Sequence, residues 1–316
     1  MDAPEPLIIL SPGRSYSSVV TAMLGQHPQM YGLPETHLFL CRTIREWWLH
    51  FGSNVHSHGL LRAVAQIVTG RQTGLNIELA RTWIWSRLNC QTNDVFAELS
   101  QQVYPRILID KSPYAVHRIE QLKRFSKILP TSRFIHLTRH PSGYCRSVLN
   151  LFRELRPFFA NPSALATVLN SWQSVFNGIV DRNAQPPLLD PQFEWYRQHS
   201  AILRFLAGIP SERQMRLHGE DVLSNPYYQL RRIAQWMGLR SDEPAVRQMT
   251  HPERSPFACF GPANAFGGGD PNFFRQPLLR PTKPYAQSLE GALSWRGDGI
   301  GFSPDVKRLA RHLDYR

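Results

Sequence analysis

The sequence predicts an α/β fold: a single domain over residues 1–316 in which a central parallel sheet is flanked by helices. Three observations carry this. Short apolar runs alternate with longer stretches of helical periodicity, the pattern of strand-helix-strand crossovers. The first run, Leu7-Ile8-Ile9-Leu10, breaks at Pro12-Gly13 into a hydroxyl-rich loop and resumes as a helix carrying Val19, Val20, Met23 and Leu24. Arg133-Phe134-Ile135-His136-Leu137 makes the same transition through Thr138-Arg139-His140-Pro141, with Pro141 suited to a first helical turn.

Composition bounds the rest. A chain of 316 residues with 42% hydrophobic content can bury a substantial core. There is no run of 18 apolar residues, and Met1 to Pro6 lacks the basic and apolar regions of a leader, so a cytoplasmic protein without a membrane span is expected. Cys41, Cys90, Cys145 and Cys259 form no CxxC, and no HExxH accompanies them. Reduced thiols and no metal site are therefore expected. The net charge of +12 points to an anionic partner; nucleic acid, a phosphorylated cofactor and an acidic membrane are all compatible with it. Only five of the 36 basic residues are lysines and there is no polybasic block, which disfavours a general nucleic-acid binder.

Taken in order, the loop Ser11-Pro12-Gly13-Arg14-Ser15-Tyr16-Ser17-Ser18 reads as a phosphate cradle. A loop entering a helix offers unpaired N–H groups and the positive end of the helix dipole. Ser15, Ser17 and Ser18 add hydroxyls, and Arg14 adds a full charge on a planar fork. An ordinary helix start capped by Ser17 or Ser18 is the other reading. Gln29-Met30-Tyr31-Gly32 is a brief extended piece, and a helix is predicted from about Thr36 to Phe51 with Glu35 at its start, either a first-turn acid or a functional carboxylate. Residues 52–104 read as a helical insertion, Leu60 to Val68, Leu75 to Leu88 and Val95 to Tyr104, able to wall a pocket.

The strand Arg106-Ile107-Leu108-Ile109 ends in Asp110-Lys111-Ser112-Pro113, the kind of exit at which parallel sheets hold ligands. Lys111 is there either a solvated loop lysine or a ligand-facing one. A helix from Tyr114 to Leu129 follows. Beyond the strand at 133–137, Arg139 and Ser147, about two turns into the next helix, can converge on one anion as a second phosphate site. Helices are predicted over Pro162 to Arg182 and Pro191 to Leu206, and a last strand over Gln214 to His218. An amphipathic helix opens at Glu220-Asp221 and Asn225-Pro226 and closes at Gly238, and a terminal helix spans Ser303 to Leu313. Residues 250–284, rich in Gly, Pro, Asn and Phe, form a lid-like loop.

The first loop lacks the GxxxxGK[ST] spacing, and no acidic strand end is placed for magnesium, which disfavours nucleoside triphosphate hydrolysis. Two phosphate sites with a carboxylate and a lysine between them suit a cofactor with separate 5′ and 3′ phosphates. Here the chain resembles the sulfotransferases that use 3′-phosphoadenosine-5′-phosphosulfate (PAPS), above all the bacterial and tyrosylprotein types. The resemblance is carried by the first loop, by Gly32-Leu33-Pro34-Glu35, by Asp110-Lys111-Ser112-Pro113, by the arginine and serine eight positions apart at 139 and 147, and by Ala292-Leu293-Ser294-Trp295 with the ending Leu309 to Tyr315.

That resemblance implies a P-loop-like sulfotransferase fold and transfer of the sulfuryl group of PAPS to an acceptor hydroxyl, leaving 3′-phosphoadenosine-5′-phosphate (PAP). It gives the 5′-phosphosulfate to Pro12, Gly13, Arg14, Ser15, Tyr16, Ser17 and Ser18, and the 3′-phosphate to Arg139 and Ser147. Glu35 becomes the general base, with His37 and Asp110 as alternatives; Lys111 neutralises charge on the bridging oxygen or sulfate, and Ser294 donates a hydrogen bond to the same region. The sequence departs from the family pattern at Tyr16, where a small residue is usual, and at His218-Gly219, where a tyrosine commonly precedes the Glu-Asp pair. The aromatic content of 52–104 and 250–284 suits a partly apolar acceptor, small or linked to a carrier or peptide. The rival classes are a nucleotide or small-molecule kinase needing ATP and magnesium, and a non-catalytic anion or nucleic-acid binding module.

Overall fold

A computed structural model of the chain describes residues 4–117, 119–159, 179–181, 183–184, 188–280 and 288–316. The helix predicted over Pro162 to Arg182 lies almost wholly outside these residues. The strands are β1 Leu7–Leu10, β2 Met30–Gly32, β3 Ile107–Asp110, β4 Arg133–Thr138, β5 Val180–Asp181, β6 Leu188–Leu189 and β7 Gln214–His218. Five of them form a parallel sheet in the order β2-β3-β1-β4-β7, and β5 pairs with β6 as a short antiparallel ribbon that the sequence did not announce.

Alternation along the strands sends successive residues to opposite faces. Ile8 and Leu10, with Leu108 and Phe134, join a core shared with Leu60, Val64, Ile84 and Phe96 of the 52–104 segment. Leu7 and Ile9, with Ile109, Ile135 and Leu137, meet Val20, Met23, Leu24 and Ile233 on the other side. Both faces are thus covered, as a parallel sheet requires. Because β3 and β4 flank β1, the crevice beyond the carboxyl ends of these three strands is the topological switch point, where open α/β sheets bind ligands.

The predicted helical segment consists of α3 His58–Thr69, α4 Gly74–Trp85 and α5 Thr92–Gln102, preceded by α1 Ser17–Leu24 and α2 Ile44–Phe51. α2 is shorter than the helix predicted over Thr36 to Phe51, and a separate 3₁₀ turn occupies Leu38–Leu40. Thr43-Ile44-Arg45-Glu46 sets the true start: Thr43 Oγ1 accepts from Glu46 N at 3.2 Å, and Glu46 Oε2 accepts from Arg42 N at 2.8 Å. Thr36 is drawn away instead by donating to Asp110 Oδ1 at 2.8 Å. Glu35 therefore lies in extended chain, not in a first helical turn.

Two other predicted helices are interrupted. A 3₁₀ turn, Pro113–His117, precedes α6 Ile119–Ile128. The helix after β7 divides at Asn225-Pro226 into Gly219–Ser224 and Pro226–Trp236, since a proline has no N–H to continue the ladder. α7 runs Pro141–Phe159 and packs with the helices Gln192–Leu206 and Pro304–His312 around Val148, Trp195, Leu293, Leu309 and Leu313. Residues 250–284 carry 3₁₀ turns at Pro252–Arg254 and Ala263–Ala265 and a short helix, Pro271–Arg275. No described helix is long and apolar enough to cross a membrane.

Candidate active site

The first loop climbs from β1 into α1 through two left-handed residues, Arg14 and Tyr16, each with φ of 64°. Such a backbone costs a residue other than glycine about 1–3 kcal/mol and persists only where its surroundings enforce it. Tyr16, rather than Ser17 or Ser18, stands at the N-cap of α1 and makes no side-chain cap bond. Its ring lies beneath Arg139, whose guanidinium carbon is 4.3 Å from the ring centre. Against the same ring lies Gly219, where a β-carbon would stand 2.3 Å from Tyr16 Cδ2. Arg139 Nη1 donates to the Arg14 carbonyl at 2.6 Å, which holds the loop from the side of β4.

Arg14 is the hub of the cradle. Its Nε donates to Ser147 Oγ at 3.1 Å, and its Nη1 pairs with Asp270 Oδ1 at 2.6 Å. Arg14, Arg139 and Ser147 consequently form one continuous cluster, with Arg14 between the other two. Ser15 Oγ and Arg139 Nε are buried in it without a hydrogen-bond partner among the described residues.

Lys111 forms the second centre. It is only 2% exposed, which rules out a solvated loop lysine. Its Nζ donates to Glu35 Oε1 at 2.6 Å and to Ser18 Oγ at 3.0 Å, and Ser18 Oγ also accepts from Asp270 N at 3.1 Å. A strand exit, the segment after β2, the first turn of α1 and the 250–284 segment thus meet around Lys111 Nζ and the Ser18 hydroxyl.

The backbone of Glu35 is clamped on both sides. Its N–H donates to Gly268 O at 2.9 Å, and its carbonyl lies so close to α3 that a β-carbon on Gly59 would stand 1.9 Å from it. Any side chain at position 59 would displace the Glu35 backbone.

The two alternative bases are deeply buried. Burial raises the Asp110 carboxyl to about 6, against the opposing bonds from Thr36 and Ser112. His37 donates its backbone N–H to Ser112 Oγ at 3.1 Å, and burial, reinforced by the positive charges of His56, Lys111 and His117, holds its imidazole well below the usual histidine range. Glu35 alone of the three both contacts the lysine and keeps a partly exposed side chain.

A cleft of about 530 Å³ opens beside these groups, lined by Arg14, Tyr16, Ser18 and Glu35 at one side and by apolar residues of α7 and of the 250–284 segment at the other. At the carboxyl end of β4, Tyr315 stacks on His218 with ring centres 4.5 Å apart, and its hydroxyl lies 2.7 Å from Thr138 Oγ1 and donates to Glu220 Oε2 at 3.3 Å. The chain terminus therefore braces the strand from which Arg139 projects.

Not every predicted residue joins the cradle. Ser294 is exposed, on a segment whose next residue, Trp295, is tied by Nε1 to Asp190 Oδ1 at 3.2 Å, and it makes no polar contact with the cradle among the described residues. The structure adds Asp270, which no motif singles out, and gives contacts to Ser112 and Gly219, which the sequence named only as members of Asp110-Lys111-Ser112-Pro113 and of His218-Gly219. The triple glycine Gly267-Gly268-Gly269 just before Asp270 is the one signal that could have drawn attention to it.

Residues 6–243 match the model of the sulfotransferase family. The chain belongs to that family. Two solved sulfotransferase domains share the fold over the whole chain. The domain from the curacin biosynthetic pathway superposes with a TM-score of 0.70 at 21% identity, covering 100% of this chain and 99% of that one. The domain from the Synechococcus PCC 7002 olefin synthase gives 0.69 at 24%, covering 100% and 97%. No curated protein sequence matches the chain. The central parallel sheet flanked by helices that the sequence predicts, and the sulfotransferase fold that the resemblance implies, are thus the fold observed.

Proposed function

We propose that this sulfotransferase family member uses PAPS as donor and a hydroxyl as acceptor, with Glu35 as general base. The observation that carries the reading is Lys111 Nζ bonded at once to Glu35 and to Ser18 of the first loop, at the edge of the cleft. It couples the group that would take a proton to the loop that would hold the donor.

The cradle suits a doubly phosphorylated nucleotide. Arg14, Arg139 and Lys111 supply three cations within connected hydrogen-bond reach, and the unpartnered Ser15 Oγ and Arg139 Nε offer donors that an anionic oxygen would satisfy. Arg14, Ser15, Ser17, Ser18 and the loop backbone from Pro12 through Tyr16, whose N–H donors begin at Gly13, are assigned to the 5′ side, and Arg139 with Ser147 to the 3′-phosphate. PAPS, when bound, supplies a sulfuryl group on a phosphate leaving group.

The protein's own part is electrostatic and positional. Lys111 opposes the charge that develops on the leaving side, and Glu35 accepts the proton of the acceptor hydroxyl. The clamp of Gly59 and Gly268 on the Glu35 backbone fixes its distance from Lys111. A cytoplasmic setting with reduced thiols belongs to the same proposal.

The test is a calorimetric comparison of PAP with ATP plus magnesium and with a DNA oligomer. PAP is expected to bind in strong preference to both. Equal binding of ATP, or a steeply salt-dependent preference for DNA, would replace the proposal with a kinase or a polyanion-binding module.

A further inference from the structure

The cleft beside Glu35 continues into a belt of side chains that the sulfuryl chemistry does not use. His37 and Tyr114 meet edge to face at 5.2 Å, and Tyr114 stacks on His117 at 5.3 Å. His117 Nδ1 lies 3.3 Å from Glu194 Oε1, and Gln198 Nε2 donates to the same carboxylate oxygen. His37, Tyr114, His117 and Gln198 all line the cleft that Glu35 lines.

Three polar atoms of this belt, His37 Nδ1, Tyr114 Oη and Gln198 Oε1, are buried without a hydrogen-bond partner among the described residues. His37 and Gln198 are themselves 1% and 2% exposed. Leaving such an atom buried and unpaired is costly, so three in one wall are a strong bias toward a ligand that pairs them. Their chemistry restricts the ligand. Gln198 must turn its oxygen outward, because Glu194 can only accept and takes the amide nitrogen; Oε1 therefore calls for a donor. Glu194, lowered to about 2 against its own burial by the bonds from His117 and Arg197, is a satisfied anion behind that oxygen. The Tyr114 hydroxyl can donate or accept, but a carboxylate ligand would face the outward Gln198 oxygen with the Glu194 anion behind it, and among the described residues of the belt no unpaired cation stands to draw it. The opposite wall, Val148, Leu151 and Phe152 of α7 with Phe260 and Phe266, is apolar.

We propose that the acceptor has an apolar body and, besides its reacting hydroxyl, an uncharged hydrogen-donating group, a second hydroxyl or an amide, that His37, Tyr114 and Gln198 read. This rests on the proposed role of the cleft as the acceptor site, and it excludes anionic acceptors and simple monoalcohols as preferred ligands.

The test is titration calorimetry of the whole chain with octan-1-ol, octane-1,2-diol, octane-1,3-diol and 3-hydroxyoctanoate. At least one diol is expected to bind fivefold or more tightly than octan-1-ol, with the hydroxy acid no tighter than the monoalcohol. Tyr114→Phe, which removes only an unpartnered hydroxyl and so spares the fold, is expected to lower that diol's affinity about fivefold. Equal binding of alcohol and diols, tightest binding of the hydroxy acid, or an unchanged diol affinity in Tyr114→Phe would overturn the inference. A diol preference without PAP binding would sink the PAPS proposal and leave the reading of the cleft standing; PAP binding without a diol preference does the reverse.

Discussion

Tyr16 and Gly219 occupy each other's space: the ring of the first sits where a side chain on the second would be, with 2.3 Å between Tyr16 Cδ2 and the position of a β-carbon at 219. The two departures from the family pattern that the resemblance points to, a bulky residue in the loop and a missing tyrosine before Glu220-Asp221, thus stand against each other in space. An aromatic ring fills this corner from the first loop, and the glycine after β7 leaves it the room.

This pairing has a measurable signature. Gly219→Ala should destabilise the protein by about 1–3 kcal/mol, the usual cost of forcing atoms into a packed site. In a Tyr16→Gly background the same substitution should cost close to nothing. A double-mutant cycle by urea denaturation checks this; additive effects would mean that the two residues are not coupled.

Glu35→Gln keeps the size of the side chain and a hydrogen-bond acceptor for Lys111 but removes the base. Turnover should fall by about 10²–10⁴-fold, the range for a lost general base, while PAP binds as before. A variant with ordinary turnover would move the role to Asp110 or His37.

Arg139→Ala separates the two phosphates. Loss of a charge-assisted contact worth about 1.5–3 kcal/mol should weaken PAP markedly. AMP, which has no 3′-phosphate, should suffer less, through loosening of the Arg14 carbonyl and Tyr16 alone. Calorimetry with both nucleotides decides the assignment, and an equal loss for the two would contradict it.

Acid should destabilise the fold well above the carboxylate range. His136 Nε2 and His199 Nδ1 lie 2.9 Å apart in the core, and burial lowers both imidazoles, His199 to about 3. The folded state keeps them neutral while the unfolded chain protonates near 6.5, so their contribution is complete above that pH and is lost as the pH falls toward the folded values. One excluded proton costs about 2 kcal/mol at pH 5. Asp110, raised to about 6, works in the opposite sense but is one group against the lowered His27, His37, His58, His136 and His199. Urea unfolding at pH 7.5 and pH 5 should show a clear loss of stability, and a flat profile would argue that the pair titrates freely.

Much of the sheet could be read from the sequence because its strands are short apolar runs ended by Pro12-Gly13, Ser112-Pro113 and His140-Pro141, each a local breaker. Glu35, Lys111 and Arg14 were legible for the same reason, standing where strands give out. The helix boundary at Ile44 was also written locally, in Thr43 and Glu46, but the apolar stripe through Leu38 obscured it. Asp270 could not be found this way: it is 256 positions from Arg14, and only the folded chain brings them together. Tyr114 and Gln198 sit in helical turns whose spacing says only that one side is buried, not that a cleft lies there.

On the proposed reading of the first loop as an anion site, the ion pair of Arg14 with Asp270 would make it a selective ion exchanger. A long polyanion gains affinity chiefly by releasing mobile salt from itself and from the cations it meets. Here one guanidinium carries a counter-ion that cannot diffuse away, because Asp270 is built into the chain and also caps the helix Pro271–Arg275. Much of the net charge of +12 can attract any anion to the surface, but at this point exchange would favour a compact ester whose oxygens replace the carboxylate on Arg14 and reach Ser15 and Ser18 together.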